Sequence, residues 1–384
     1  MELKNFRLRY AETTLYFGLD AVQNIKDYLS KFERAVIVSG RASAKLSGAL
    51  NDIENILRDL GIKYTVYDNV SPNPWANQAE DLAKTIWFEG AEAVIAIGGG
   101  SPIDTAKIGL TIAVNGGKVK DYIDGVKKVK RSLPLIAINT THGTGTEVDR
   151  YAVITLDDVK EKHGLSIKYP NVSVDDPKYT LTLDRRQTLY TSLDAFYHVY
   201  ESATSLASNI FIEMLSEEAV KVISEVLPQL VNDLKNIELR YKMMYAAMIA
   251  GIAIDMGSTH IIHGIEHTLS GLEPKLAHAC GLALLGPRAV YYTHRVRPEQ
   301  SAKLLRHINP SIKPSPEYAE EASRAVFKFQ EEVGFKERLG DYSFTEKELK
   351  IIAELALARL NYMFSNTPFV VTEDIMIDIV RSAL

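Results

Sequence analysis

The sequence predicts an α/β amino-terminal half built on a doubly wound parallel sheet, followed by an all-helical carboxy-terminal half. Three observations carry this. Up to about residue 180, unbroken runs of β-branched and apolar residues alternate with helical segments, as for strands buried on both faces. A glycine triplet sits between one such run and the helix that follows it. Beyond about residue 185 the β-like runs stop, and apolar residues recur at three- and four-residue spacing. A chain of 384 residues also exceeds the roughly 250–300 at which a single core stops growing. Two domains are therefore expected, residues 1–182 and 183–384.

The first segment, "NFRLRYAETTLYFG", reads as a strand ahead of the alternating pattern. It either joins its own sheet or pairs through an exposed edge with a second copy, giving a homodimer. The alternation proper runs "RAVIVSG", "KLSGALNDIENILRDLG", "KYTVYDNV", "QAEDLAKTIWFEG", "AEAVIAIGGG", "DTAKIGLTIAV" and "PLIAINTT". In the second half "SEEAVKVISEVLPQLVNDL", "LRYKMMYAAMIAGIAIDM" and "EKELKIIAELALARLNYMF" read as long helices. No internal repeat or low-complexity tract interrupts them. The junction of the two architectures is a favoured place for a ligand.

Composition narrows the partners. The formal net charge is −5, well mixed, with no basic block to suit nucleic acid or an anionic membrane surface. Cys280 is the only cysteine, so no disulfide forms within the chain and a reducing cytoplasm is expected. No secretory h-region and no apolar stretch of membrane-spanning length is visible.

Gly98, Gly99 and Gly100 suit a pyrophosphate cradle, because glycines admit a phosphate close to the backbone and a helix N-terminus presents free N–H groups. Ser101 or Asp104 is placed to cap that helix. The segment has neither the GK[ST] ending of a P-loop nor a spaced G-x-G-x-x-G. A second loop, "NTTHGTGTEVD", follows an apolar strand and offers Thr140, Thr141, Thr144 and Thr146. At the end of "VIVSG", where NAD enzymes place an acid for the ribose, Gly40 leaves room for a 2′-phosphate that Arg41 and Ser43 can bind. NADP is favoured over NAD.

In "TSLDAFYHVYES", Asp194 and His198 stand four apart on one helical face, so an oxygen and a nitrogen can share a cation. His260, His263, His267 and His278 crowd "THIIHGIEHTLSGLEPKLAHAC", the first three on one face of a predicted helix. Asp194, His198 and one histidine each from that helix and the segment after it would make a four-ligand site suited to Fe²⁺ or Zn²⁺.

"GGGSPIDTAK", "NTTHGTGTEV", "DAFYHVYES", "HGIEH" with the later His278, and "NTPFVVTEDI" occur in the order seen in the iron-containing (group III) alcohol dehydrogenases, which the sequence resembles over nearly its whole length. The resemblance implies a Rossmann-like domain, an NAD(P)-dependent enzyme, a divalent metal with Fe²⁺ ahead of Zn²⁺, and a small alcohol or aldehyde as substrate. It implies Asp194, His198, His263 and His278 as metal ligands and His267 as a non-ligand near the substrate. It further implies Gly99, Gly100 and Ser101 on the pyrophosphate with Asp104 supporting them, and Thr140, Thr141 and Thr144 on the nicotinamide side. Asn73 and Lys162 would also lie near the cofactor.

The sequence departs from the family pattern at His142, Asp184, His260, Glu266 and Thr268. The expected reaction is hydride transfer between an alcohol carbon and NADP(H), the metal acting as Lewis acid between the domains and His267 passing the proton. Alternatives are an NAD-linked glycerol or polyol dehydrogenase, a dehydroquinate-synthase-like lyase, and a non-catalytic protein that binds NADP and metal.

Overall fold

In a computed structural model that describes residues 3–384, the chain forms two compact units. The first comprises the chain up to Leu183 together with Lys235–Met244, and the second Asp184–Leu234 with Tyr245–Leu384.

Among the described residues, the first unit is built on nine strands: β1 (Phe6–Tyr10), β2 (Thr13–Phe17), β3 (Arg34–Gly40), β4 (Lys63–Val70), β5 (Ala93–Gly98), β6 (Leu135–Asn139), β7 (Tyr151–Thr155), β8 (Lys162–Ser166) and β9 (Val172–Asp175). Seven form one sheet in the order β1-β2-β9-β6-β5-β3-β4, parallel except for β1. The central strands explain the unbroken apolar runs: Ile37, Ile95, Ile97, Ile136 and Ile138 face one cluster, and Val36, Val38, Val94, Ala96 and Ala137 the other. Successive side chains on a strand point to opposite faces, so a sheet covered on both needs apolar residues at every position. The α/β expectation for this half holds.

Two details differ from the sequence reading. The opening segment is two strands rather than one, because Ala11 turns at a φ of 46°. β2 then joins its own sheet beside β9, leaving β1 outermost. The antiparallel pair β7–β8 was not expected and stands apart from the main sheet.

The second unit is helical. Its central helix, Arg185–Thr204, is buried almost all round from Thr188 onward, which is why it lacks the one-sided apolar stripe of a surface helix. Asp184 begins it, its side chain accepting the Gln187 N–H at 2.7 Å. This departure from the family pattern is thus a good N-cap. Around it pack Ile210–Leu230, His278–Val296 and Pro298–Leu305, with Ala319–Glu332 against His278–Val296. No single helix among the described residues is long and apolar enough to cross a membrane.

Candidate active site

In the first unit the two predicted loops meet. β5 ends at Gly98, whose φ of 153° admits no ordinary side chain, and the helix Gly100–Asn115 starts at once. A Cβ on Gly99 would lie 2.7 Å from Thr141 Cγ2, and one on Gly100 would lie 2.8 Å from Thr144 Cγ2. The glycines are therefore needed for the approach of the threonine loop as well as for backbone exposure. Thr141 is held from below: Asn139 Oδ1 accepts its N–H at 3.0 Å, while Asn139 Nδ2 donates to Asp175 Oδ1 at 3.0 Å.

Neither Ser101 nor Asp104 caps this helix, contrary to the sequence reading; Gly99 is its N-cap and makes no side-chain cap bond. Asp104 is the fifth residue of the helix, a full turn past its start. It accepts the Thr146 hydroxyl at 2.7 Å and the Val153 N–H at 2.9 Å, tying β7 and the threonine loop to the glycine-loop helix. Burial pushes its carboxyl up to about 6, opposed by the nearby Lys107 ammonium.

Lys107, from the same helix and wholly buried, donates to Thr146, Asp149 and Tyr151. The sequence reading passed over it. A lysine three residues past Asp104 sits almost one turn on, and that spacing was the available signal.

His142, where the family pattern is interrupted, is also wholly buried. Its Nε2 lies 2.8 Å from Arg240 Nη1, so the neutral ring accepts from the guanidinium. Burial and that positive charge push the imidazole down to about 3. Arg240, whose other nitrogen donates to Leu183 O at 3.1 Å, comes from the 235–244 segment and anchors the loop within the first unit.

Elsewhere in this unit, Gly40 ends β3, and Arg41 and Ser43 are exposed after it. Arg41 donates to Asn69 Oδ1 at 3.1 Å, and Lys45, a second cationic side chain nearby in the sequence, pairs with Asp68 at 3.3 Å. Asn73 sits at a positive φ of 49° in the turn after β4. Lys162 begins β8, buried, opposite Thr155.

In the second unit the four predicted ligands converge. Asp194 Oδ1 lies 3.5 Å from His198 Nε2, 4.0 Å from His263 Nε2 and 3.8 Å from His278 Nε2. Asp194 and His198 come from Arg185–Thr204, His263 from the helix Ile261–Leu272, and His278 is the first residue of His278–Val296. The His198 and His263 rings are stacked with centroids 4.8 Å apart.

Asp194 Oδ1 is buried and accepts no hydrogen bond. An unpaired buried carboxylate oxygen facing three imidazole nitrogens is costly unless a cation joins them. The separations suit donors around one ion at bonds of about 2.0–2.2 Å, so the residues fit a divalent metal. His267 lies outside this group, its ring 5.6 Å from that of His278.

Two glutamates complete the cluster. Glu201, three residues beyond His198, accepts from His263 Nδ1 at 2.5 Å and from the Ile262 N–H at 2.6 Å. It thereby caps a helix that has no side-chain cap of its own. Glu266 holds His278 Nδ1. Burial raises the Glu201 carboxyl, opposed by His260.

His260 does not share the helix face assigned to it. Ser258 turns at a φ of 62°, the helix starts only at Ile261, and His260 is its N-cap. Its Nε2 lies 3.1 Å from Thr204 Oγ1 and its Nδ1 3.2 Å from Glu201 Oε1, so it stands behind Glu201.

The family "Iron-containing alcohol dehydrogenase" matches residues 12–177, and "Fe-containing alcohol dehydrogenase family, C-terminal" matches residues 188–384. The chain belongs to the iron-containing alcohol dehydrogenases. It is 36% identical over 383 residues to a long-chain primary alcohol dehydrogenase of Thermoanaerobacter ethanolicus, covering 97% of this chain and 96% of that one. A 1,3-propanediol dehydrogenase of Klebsiella pneumoniae is 29% identical over 91% of this chain and 92% of its own.

Among solved structures, an archaeal alcohol dehydrogenase from a Red Sea brine pool superposes with a TM-score of 0.91 at 25% identity, over 100% of this chain and 99% of that one. The NADH-dependent butanol dehydrogenase A of Thermotoga maritima gives 0.90 at 26% identity, over 99% of both chains. The resemblance and the Rossmann-like fold with its helical second half therefore hold. Family membership implies an alcohol dehydrogenase with a metal and a nicotinamide cofactor acting on small alcohols or aldehydes.

Proposed function

We propose that this family member is an NADP(H)-linked, metal-dependent alcohol dehydrogenase and aldehyde reductase. The observation that carries the reading is Asp194 Oδ1, buried and without a hydrogen bond, facing Nε2 of His198, His263 and His278. Those four residues would hold the divalent cation, Fe²⁺ ahead of Zn²⁺. Bound there, the ion supplies Lewis acidity to the substrate oxygen and the nicotinamide supplies or accepts the hydride.

The chain's own residues bind and orient. Gly99, Gly100 and Ser101 receive the pyrophosphate, and Thr140, Thr141 and Thr144 line the nicotinamide side. Asn73 and Lys162 contact the cofactor, and Gly40, Arg41 and Ser43 take the 2′-phosphate. Asp104 reaches past the glycine loop to hold the threonine loop in register with it. His267, beside His278, carries the alcohol proton toward solvent.

The NAD-linked reading stays in the test, because the butanol dehydrogenase of similar fold is named for NADH. The metal-depleted protein is reloaded anaerobically with Fe²⁺ or Zn²⁺. It is then screened at 340 nm with NADP(H) and NAD(H) against a panel of alcohols and aldehydes, alongside Asp194→Ala. The expected outcome is turnover with NADP(H) and loss of both metal and turnover in the variant. Full metal content and activity in Asp194→Ala would remove the assigned site.

A further inference from the structure

Two of the proposed ligand histidines are backed by buried carboxylates. Glu201 is one, and its three acceptances make it a helix cap as much as a metal-site residue. Glu266 is the other. It lies in the middle of Ile261–Leu272, wholly buried, with its Oε2 on His278 Nδ1. A buried carboxylate in a helix interior costs stability unless something compensates it, and an apolar residue would fill the same volume more cheaply.

The neighbouring backbone is built around it: a Cβ on Gly281, one turn into the helix that His278 begins, would lie 2.7 Å from Glu266 Cγ. Gly281 therefore leaves the slot through which Glu266 reaches His278.

We propose that Glu266 is a positioning residue for the metal: by accepting the His278 Nδ1–H in the slot opened by Gly281, it turns His278 Nε2 toward Asp194 and raises its basicity as a ligand. A neutral imidazole has one N–H and one lone pair, so a carboxylate that accepts the hydrogen bond from Nδ1–H keeps the proton there and leaves the lone pair at Nε2. It also fixes the ring plane, which otherwise rotates about χ2, and removes the entropy of ordering it when metal binds. Nε2 is the nitrogen that lies 3.8 Å from Asp194 Oδ1. The competing arrangement, with Glu266, His267 and His278 themselves as a ligand group, is geometrically available, but it would need His278 to use the nitrogen already occupied by Glu266 or to serve both groups at once.

The inference rests on the reading of His278 as a metal ligand, so the test separates the two. Full-length protein stripped of metal is titrated with Co²⁺ against a chromophoric chelator, and the visible spectrum of the Co²⁺ form is recorded for the parent, Glu266→Ala, Glu266→Gln and His278→Ala. For Glu266→Ala the expected result is a loss of about 10–100-fold in Co²⁺ affinity, the range for removing a carboxylate behind a ligand histidine. The spectrum should keep the parent's band positions and intensity. Glu266→Gln, whose amide oxygen still accepts the Nδ1–H, should recover part of that affinity. His278→Ala should lose more and change the spectrum.

If Glu266→Ala does not fold, Glu266→Gln decides alone: affinity within twofold of the parent overturns the proposal. A Glu266→Gln spectrum altered as much as that of His278→Ala would make Glu266 a ligand and also overturn it. Unchanged affinity in His278→Ala would show instead that the metal-site reading has failed.

Discussion

Lys107→Met tests the claim that the two cofactor loops of the first unit are one clasped device. Methionine keeps the length and most of the volume of lysine and removes only the ammonium. That ammonium is fully buried and donates to Thr146 O at 2.8 Å, Thr146 Oγ1 at 2.6 Å, Asp149 O and Oδ1 at 3.0 Å each, and Tyr151 O at 2.7 Å.

After the change, Asp149 keeps the Tyr151 N–H at 2.8 Å but loses the buried ammonium that lay 3.0 Å from its Oδ1. Removing one partner of a buried pair costs about 3–5 kcal/mol. Against a total stability of about 5–15 kcal/mol this is a large loss. The assay is urea unfolding followed by tryptophan fluorescence, because the only tryptophans, Trp75 and Trp87, both lie in the first unit. The same variant should bind NADP more weakly, since Thr141 and Thr144 are packed on Gly99 and Gly100. A stability loss under about 1 kcal/mol with unchanged NADP affinity would refute the reasoning.

His142, held down to about 3 when folded, returns to its ordinary 6.5 in the unfolded chain. Between those values the unfolded state binds more protons, so this group's contribution to stability rises with pH across the window and is lost on acidification from about 6.5 toward 3. The slope is at most about 1.4 kcal/mol per pH unit. His142→Gln, which retains an acceptor for Arg240, should lose less stability between pH 7 and pH 4.5 in the same fluorescence assay; an equal loss in both proteins would count against it. Arg41→Ala should raise the KM for NADP by about 10–100-fold, the equivalent of losing one charge-assisted contact, and leave that for NAD nearly unchanged. Equal effects on both cofactors would remove the 2′-phosphate assignment.

Much of the candidate site was legible in short stretches. D-x-x-x-H on one helix face, glycines between a strand and a helix, and unbroken apolar strand runs are consequences of backbone period and burial that each segment carries alone. The misreadings fell where neighbours from elsewhere in the chain decided the outcome. Asp104 looked like a cap because it stands near a helix start, but the acceptor it needed to be was for Thr146 and Val153, which lie 42 and 49 residues away. His260 looked like a member of the histidine face because four-residue spacing implies a continuous helix; the bend at Ser258 moved the helix start beyond it.

By itself the sequence determined the order of elements, the loops able to face a phosphate and the supply of oxygen and nitrogen donors, since these follow from side-chain chemistry and local periodicity. Tertiary structure alone decided which donors meet. Glu201 reaches His263 across 62 residues, Glu266 reaches His278 across 12, and Lys107 reaches the threonine loop across about 40. Such contacts depend on how helices and strands pack through shape, as Gly281 does for Glu266, and no period along a single chain segment encodes that fit.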